Sequence, residues 1–180
     1  KDEATKYSAK TEYQKVYFHK IGTDQSQDVL VYEDKENPLR YVSGSLTEDE
    51  RFLVLSISEG TDGSEIKVRD MKAGDNSPFM TVVAGFKTNA DVVDNIGDKL
   101  IINTNDNAPN YKVVLVDPKN PAASNWKALI PEQKEKLNAV STGGGKLFAQ
   151  YLKDVTTLIA QYDYNGKLER NIKLPGVGTA

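Results

Sequence analysis

The feature of this sequence that most limits its fold is a repeat with a period of about 47 residues. Three apolar runs each begin near a large hydrophobic residue, and these residues are separated by 48 and 47 positions: Phe52, Leu100 and Leu147. A second apolar run follows each of them and ends in aspartate, and the aspartates are separated by 47 and 46 positions: Asp70, Asp117 and Asp163. Two independent sets of landmarks with nearly the same period indicate that one structural unit is repeated.

Each unit has the pattern of four short β-strands. The apolar runs are rich in Val, Ile, Leu, Tyr and Phe, and Gly, Asn, Asp and Pro separate them. Four strands in about 45 residues is the pattern of a β-propeller blade. The sequence therefore predicts an all-β chain that is part of a β-propeller, with blades at 39–86, 87–133 and 134–178. Residues 13–36 are expected to finish a preceding blade. A β-sandwich is the alternative, but a sandwich has no reason to repeat its landmarks so regularly.

Three local expectations accompany this fold. Asn165-Gly166 in "DYNGKL" suits a two-residue hairpin turn in which both residues have positive φ. Pro131 is expected to open a single helical turn in "IPEQKEKLNAV", the one stretch with helical character. Trp126 is expected to pack between blades.

The charge balance argues against polyanionic partners. The chain of 180 residues has 23 Lys or Arg and 26 Asp or Glu, which gives a formal net charge of −3. This gives no electrostatic case for nucleic acid or an anionic membrane surface. The absence of cysteine excludes disulfides and thiolate chemistry. No apolar run reaches the roughly 18 residues of a membrane span, and no signal peptide is recognisable. The compartment stays unknown, with cytoplasmic and periplasmic locations both open.

His19, the only histidine, is the first candidate for a catalytic or metal-binding group. Asp24 or Asp28 could orient it, as the carboxylate of a hydrolytic triad does. The residues between them, "GTDQSQD", are instead typical of a turn, with Gly22 for an unusual φ and Asp and Ser for local backbone groups. We therefore interpret this stretch as a β-hairpin with an incidental histidine.

No other motif favours catalysis. No glycine has serine two positions later, so the sequence lacks the G-x-S-x-G elbow of hydrolase nucleophiles. Residues 143–146, "GGGK", lack the first glycine and the Ser or Thr of a phosphate loop, and we expect a tight connection between strands there. Residues 103–110, "NTNDNAPN", lack the central glycine and the distant glutamate of a calcium loop. We expect no catalytic residue, no metal and no cofactor in this chain.

Longer stretches carry a family resemblance. The N-terminal propeller of prolyl oligopeptidases, serine endopeptidases that cut after proline, resembles "HKIGTDQSQDVLVYED" and the following "GSLTEDERFLVLSISEGTDG". The same family resembles "NTNDNAPNYKVVLVDPKNPAASNWKALIPE" and "YLKDVTTLIAQYDYNGKL", so the likeness extends from Tyr13 to Val177. Since the first residue is Lys1 and not methionine, we expect the chain to be a fragment of a longer protein.

This resemblance implies a parent enzyme with two domains. A seven-bladed propeller covers the active-site cavity of an α/β-hydrolase domain that carries a Ser-Asp-His triad, and it admits only short peptides. The implied partners are that catalytic domain and short proline-containing peptides, with no nucleic acid and no membrane. His19 does not correspond to the family's catalytic histidine.

The resemblance also implies two substrate-cavity residues, Tyr41 and Thr61. The family more often has an aliphatic or sulfur side chain at the first position and cysteine at the second, and Ser58 stands where arginine is common. A stand-alone propeller that serves as a binding platform remains the alternative function. Small, polar connections such as "EGTDGSE" and "KAGDNSP" disfavour it, since binding surfaces are enriched in aromatic residues and arginine.

Overall fold

The computed structural model describes residues 11–176 and residue 178, and almost all of its regular structure is β-sheet. A two-stranded antiparallel sheet, here called the N-terminal hairpin, contains β1 (Lys15–Phe18) and β2 (Val29–Glu33). The first sheet contains β3 (Tyr41–Leu46), β4 (Phe52–Ser58), β5 (Glu65–Asp70) and β6 (Met80–Val83). The second sheet contains β7 (Ala90–Ile96), β8 (Lys99–Thr104), β9 (Lys112–Val116) and β10 (Lys127–Ile130). The third sheet contains β11 (Lys136–Gly143), β12 (Lys146–Lys153), β13 (Thr156–Asp163) and β14 (Leu168–Ile172).

Each of the three full sheets is a simple antiparallel meander in which every strand pairs with the next one along the chain. Within the described residues, three short 3₁₀ helices lie in the connections, at Gln25–Gln27, Met71–Ala73 and Ala123–Asn125. The part of the chain that the structure describes contains no helix with the length and hydropathy of a membrane span.

The residues that mark the repeat have equivalent places in the three sheets. Phe52, Leu100 and Leu147 lie at the beginning of the second strand of each sheet and are buried. The three landmark aspartates stand where the third strand ends, and the Oδ1 atom of each accepts a hydrogen bond from the backbone N–H two residues later, at 2.9–3.0 Å: Asp70, Asp117 and Asp163. Aspartate recurs there because its short carboxylate replaces a lost strand partner at the turn.

Two apolar cores lie between neighbouring sheets. The first core joins side chains of the first and second sheets, including Phe52, Ile66, Leu100 and Val114, and Trp126 packs against it. The second core joins the second and third sheets in the same way and includes Ile101, Val113, Leu147 and Tyr162. Neighbouring residues of one strand, such as Leu100 and Ile101, point to opposite faces of the sheet and therefore into different cores. The prediction that Trp126 packs between repeated units is confirmed.

The first strands of the sheets are linked at one end by the buried carboxylate of Asp94 in β7. Its Oδ1 atom accepts a hydrogen bond from the backbone N–H of Glu48 in the first sheet, at 3.0 Å. Its Oδ2 atom accepts one from the hydroxyl of Thr142 in the third sheet, at 3.1 Å. One side chain of the second sheet therefore holds both neighbouring sheets, as expected of successive blades around an axis.

The turn at Asn165-Gly166 differs from the predicted one. Only Gly166 has positive φ, at 83°, and the Gly166 N–H bonds to the Asp163 carbonyl while the Asp163 N–H bonds to the Lys167 carbonyl. This is a longer turn with glycine at its last position. The Asp163 carboxylate selects it, because it accepts bonds from the N–H groups of both Asn165 and Lys167.

The helical turn predicted after Pro131 is also wrong. No helix is found at residues 131–135, and β11 begins at Lys136. Long-range bonds hold this segment in an extended form: Glu132 accepts from the backbone N–H of Asn110, at 2.6 Å, and the Gln133 amide donates to the Tyr162 hydroxyl, at 3.0 Å. Local propensity is overridden because these groups find partners in the neighbouring sheets.

Candidate functional site

Tyr41 and Thr61 lie at the same end of the first sheet. Tyr41 is the first residue of β3 and pairs with Ser58, the last residue of β4. Thr61 lies three residues later in the connection of residues 59–64 that leads to β5. Tyr41 is 52% exposed, and Thr61 is exposed as well. The fold thus brings the two predicted site residues to one accessible rim, although 20 positions separate them in the sequence.

Arg40 anchors this rim from the Tyr41 side. Its Nε atom donates to Oε1 of Glu59 at 2.8 Å, and a second guanidinium nitrogen lies 2.7 Å from the same oxygen. Its third nitrogen donates to Oδ2 of Asp34 at 3.1 Å. The guanidinium carbon lies 5.0 Å from the centre of the Phe86 ring, within the range of a cation–π contact. The Arg40 side chain therefore contacts residues of three connections, which are those between β2 and β3, between β4 and β5, and between β6 and β7.

The Asp34 carboxylate that receives Arg40 is itself firmly held. Its Oδ1 atom accepts hydrogen bonds from the backbone N–H groups of Glu36 and Asn37, and both oxygens accept from the Asn37 side chain. Burial acts to raise the pKa of the Asp34 carboxyl, but the hydrogen bonds from Asn37, Glu36 and Arg40 outweigh it. The pKa of Asp34 therefore lies below its ordinary value, and the group stays charged near neutral pH.

The other side of the Thr61 connection is fixed to the beginning of the second sheet. The Gly63 N–H donates to Oδ1 of Asn89 at 2.7 Å, and the Ser64 hydroxyl bonds to the Ala90 carbonyl at 2.7 Å. Gly63 has φ of 81°, and a Cβ atom there would lie 1.9 Å from the Phe86 carbonyl oxygen. Glycine is required because both the conformation and the close approach exclude a side chain.

The hairpin predicted around His19 is present, and His19 itself lies in its connection, directly after β1. Its Nδ1 atom lies 2.6 Å from Oδ1 of Asp28, which joins the two ends of that connection. Asp24 serves the turn, since its carboxylate accepts a bond from the Ser26 backbone N–H at 2.8 Å. Gly22 has φ of 88°, also as expected of a turn. The geometry gives the histidine a structural partner in a half-exposed hairpin.

The other rejected motifs are connections between strands. Residues 143–146 join β11 to β12 through two glycines with positive φ, Gly144 and Gly145. Residues 105–111 join β8 to β9. Among the described residues, no group of three or more His, Cys, Asp or Glu side chains is placed to hold a metal ion.

A polar depression lies at the opposite end of the sheets. It has a volume of about 360 Å³ and is lined by Glu48 and Asp49 after β3, Asp94 and Asn95 in β7, and Tyr164 after β13. Its two aspartate carboxylates have partners within the fold, since Asp49 accepts from the Asn95 amide at 3.0 Å and Asp94 joins three sheets. The depression is therefore part of the framework between sheets.

Sequence reasoning did not single out Arg40, Glu59 or Asp94. For Arg40 and Glu59 the sequence contains only a weak signal, which is their opposite charge. Arg40 directly precedes Tyr41, Glu59 directly follows Ser58, and Tyr41 pairs with Ser58 across the strands. No local pattern in the sequence distinguishes Asp94 from the other aspartates of the chain.

Comparison with known proteins identifies the fold and the family. The sequence model of the prolyl oligopeptidase N-terminal β-propeller domain matches residues 1–180. The chain belongs to the prolyl oligopeptidase family. The prediction of an all-β propeller segment built from four-stranded antiparallel sheets is confirmed.

Relatives with sequence and structural similarity agree with this assignment. The chain is 46% identical to a prolyl endopeptidase of Elizabethkingia miricola over 96% of its own length and 24% of that protein. It is 43% identical to a prolyl endopeptidase of Elizabethkingia meningoseptica, over 99% of its own length and 25% of that protein. A solved prolyl endopeptidase structure superposes with a TM-score of 0.84 and 33% identity, over 94% of this chain and 25% of that one. The prolyl oligopeptidase propeller sequence described here thus spans about a quarter of the length of these relatives.

Proposed function

We propose that this chain is a non-catalytic section of the propeller of a serine endopeptidase that cleaves short peptides after proline. In this proposal the propeller covers the active site and admits substrates according to size. The observation that supports it most strongly is the match of the whole chain to the propeller domain of prolyl oligopeptidases. The names of the relatives, prolyl endopeptidases, support the substrate class.

The proposed partner is an α/β-hydrolase domain of the same parent protein. The chain has no G-x-S-x-G segment, which is consistent with a nucleophile that lies outside this sequence. The completed propeller would have seven blades, as the family resemblance implies. The three full sheets and the N-terminal hairpin would form one arc of it, and the limits 39–86, 87–133 and 134–178 are the proposed blades.

Within this arc, Tyr41 and Thr61 are proposed to line the cavity near the substrate residues upstream of proline. Both are exposed at one rim of the first sheet. Tyr41 offers an apolar ring face together with a hydroxyl that can bond to a peptide carbonyl, a combination suited to an extended substrate. The carbonyl groups of such a substrate need donors when water is displaced.

The test uses the complete parent protein and three kinds of substrate. A short proline-containing reporter peptide, a folded protein with exposed prolines, and the same protein after irreversible unfolding are compared under identical conditions. We expect cleavage of the short peptide, inhibition by a serine-reactive reagent, and very slow cleavage of both long chains. Rapid cleavage of the unfolded long chain would contradict size selection, and failure to cleave the short peptide would contradict the peptidase itself.

The exposed apolar side chains of the N-terminal hairpin favour a second candidate function, a binding platform. Tyr17, Phe18, Ile21 and Val29 are all at least half exposed, and aromatic residues are enriched where proteins bind one another. In the first proposal the same side chains would pack against the rest of their own blade or the next one. The parent reading frame separates the two functions, because only the enzyme requires a nucleophile segment beyond the propeller.

A further inference from the structure

We propose that the ion pair between Arg40 and Glu59 positions Tyr41 and Thr61 and thereby sets how the parent enzyme selects the residues upstream of proline. This inference rests on the proposed function. It assigns Arg40 and Glu59 as positioning residues that act through the rim and not through contact with the reacting atoms.

The pair stands directly beside both rim residues. Arg40 precedes Tyr41, the first residue of β3, while Glu59 follows Ser58, the residue that pairs with Tyr41 across the strands. Thr61 comes two residues after Glu59. The two contacts of Arg40 with Oε1 of Glu59, at 2.8 and 2.7 Å, therefore close the end of the strand pair just beyond its last paired residues.

Arg40 is held more firmly than an ordinary surface arginine. Its side chain is only 21% exposed, and it is fixed by Asp34 on one side and by the Phe86 ring on the other. A guanidinium is a planar group with several donors in fixed directions, so it can make these contacts together. Lysine retains the positive charge but cannot bind Glu59 and Asp34 through several nitrogens at once or stack on the Phe86 ring. Arg40→Lys therefore tests the geometry of these contacts separately from the charge.

In the described structure, the pair with Arg40 is the contact that holds the first half of the Thr61 connection, through Glu59. Gly63 and Ser64 fix its second half to Asn89 and Ala90 of the next sheet. Thr61 lies between this anchor and Glu59, so loss of the Arg40 contact frees one end of the connection. Because the Glu59 side chain is 49% exposed, the ion pair contributes little to stability and its loss should mainly alter the geometry of the rim.

The same sheet provides a matched control at its opposite end. Arg51 donates to both carboxylate oxygens of Asp70, at 2.7 and 2.9 Å, and its guanidinium carbon lies 5.1 Å from the Phe52 ring centre. Arg51 thus has the same residue type, the same kind of acidic partner and the same stacking as Arg40. The two ion pairs lie at opposite ends of β4. Arg51 directly precedes this strand, whereas Glu59, the partner of Arg40, directly follows it.

The experiment measures kcat and KM of the complete parent enzyme with two proline-containing reporter peptides. One peptide ends one residue upstream of proline, and the other extends two residues further. The variants are Arg40→Lys, Glu59→Ala, Glu59→Gln and the control Arg51→Lys. We expect Arg40→Lys and Glu59→Ala to raise KM for the longer peptide roughly three- to tenfold with little change in kcat, and to leave the shorter peptide nearly unaffected. Glu59→Gln keeps a hydrogen-bond acceptor for Arg40, so its KM for the longer peptide should stay close to the wild-type value.

The outcomes separate this inference from the proposed function. Arg51→Lys should leave KM for both peptides unchanged even where it lowers the unfolding temperature more than Arg40→Lys. Changes in KM no larger than those of Arg51→Lys, or equal changes with both peptides, would overturn the inference while the peptidase stands. A parent protein that cleaves neither peptide would overturn the proposed function as well. If Arg40→Lys does not fold, Glu59→Ala provides the same test, because Glu59 is half exposed and its truncation should leave the fold intact.

Discussion

The carboxylate of Asp94 and the hydroxyl of Thr142 form a hydrogen bond across the boundary between the second and third sheets, at 3.1 Å. The residues lie 48 positions apart, one repeat along the chain, and the other oxygen of Asp94 holds Glu48 one repeat earlier. The corresponding ends of three successive sheets are thereby connected through one buried side chain. The bond contributes to the relative placement of the sheets in addition to the apolar cores.

Thr142→Val tests this link. Valine keeps the shape of threonine but removes the donor, so one oxygen of a buried carboxylate loses its partner. We expect the free energy of unfolding to fall by about 1–3 kcal/mol, the usual cost of leaving a buried acceptor without its partner. Urea unfolding followed by circular dichroism measures it. The control Thr81→Val changes an exposed threonine in β6 and should alter stability by less than about 0.5 kcal/mol. Equal effects of the two variants would contradict the role of the bond.

Gly166→Ala should be strongly destabilising. Gly166 has φ of 83°, and an added Cβ atom would lie 2.0 Å from the Leu129 carbonyl oxygen of the preceding sheet. The matched control is Gly145→Ala, where φ is 73° but no atom lies within 4 Å of the added Cβ. We expect the control to lose about 1 kcal/mol from backbone strain alone and Gly166→Ala to lose clearly more than 2 kcal/mol. Thermal unfolding of both variants gives the comparison.

Val155→Gly should stabilise the protein. Asp154 and Val155 form the turn between β12 and β13 with φ of 48° and 61°, and Val155 is 77% exposed. Positive φ is strained for a β-branched residue, while glycine suits this position of a two-residue hairpin turn. We expect a gain of about 1 kcal/mol, within the cost of such strained conformations. The opposite sign is expected for Val29→Gly in the extended strand β2, where glycine only weakens the strand.

The acid stability of the protein should depend on Asp70. The hydrogen bond from the Arg51 side chain is the largest influence on its carboxyl and holds the pKa below its ordinary value. A folded-state pKa below the unfolded one stabilises the fold at pH values above the unfolded pKa, about 3.9, and this contribution is lost as the pH falls further. Asp70→Asn should therefore flatten the loss of stability below about pH 4. Asp75→Asn, at an exposed position, serves as the control; identical acid profiles for wild type and Asp70→Asn would refute the prediction.

Tyr41→Ala tests the proposed cavity rim in the parent enzyme. Removing the exposed ring and hydroxyl should raise KM for proline-containing peptides by more than it lowers kcat, because the side chain would contact the substrate and not the reacting atoms. Tyr41→Phe separates the two contributions, since it retains the ring. Equal losses in kcat and kcat/KM in Tyr41→Ala would count against the role.

The sequence by itself determined the repeated β-fold. Phe52, Leu100 and Leu147 are buried in equivalent strands, and the aspartates that follow them end equivalent strands, because alternation and turn chemistry depend on residues within a few positions. The same local rules also predicted the hairpin that contains His19. They failed at Pro131, where groups from distant parts of the chain hold the backbone in an extended form. They also failed at Asn165, where the nearby Asp163 carboxylate selects a longer turn.

Tertiary structure alone decided which distant groups meet. Arg40 reaches Glu59 only because β3 and β4 pair in one register, and Asp94 reaches Glu48 and Thr142 only because successive sheets pack face to face. Such contacts join residues 19 to 48 positions apart. They depend on the packing of whole sheets, and the free energy of that packing is distributed over many apolar side chains. No short stretch of sequence therefore predicts them.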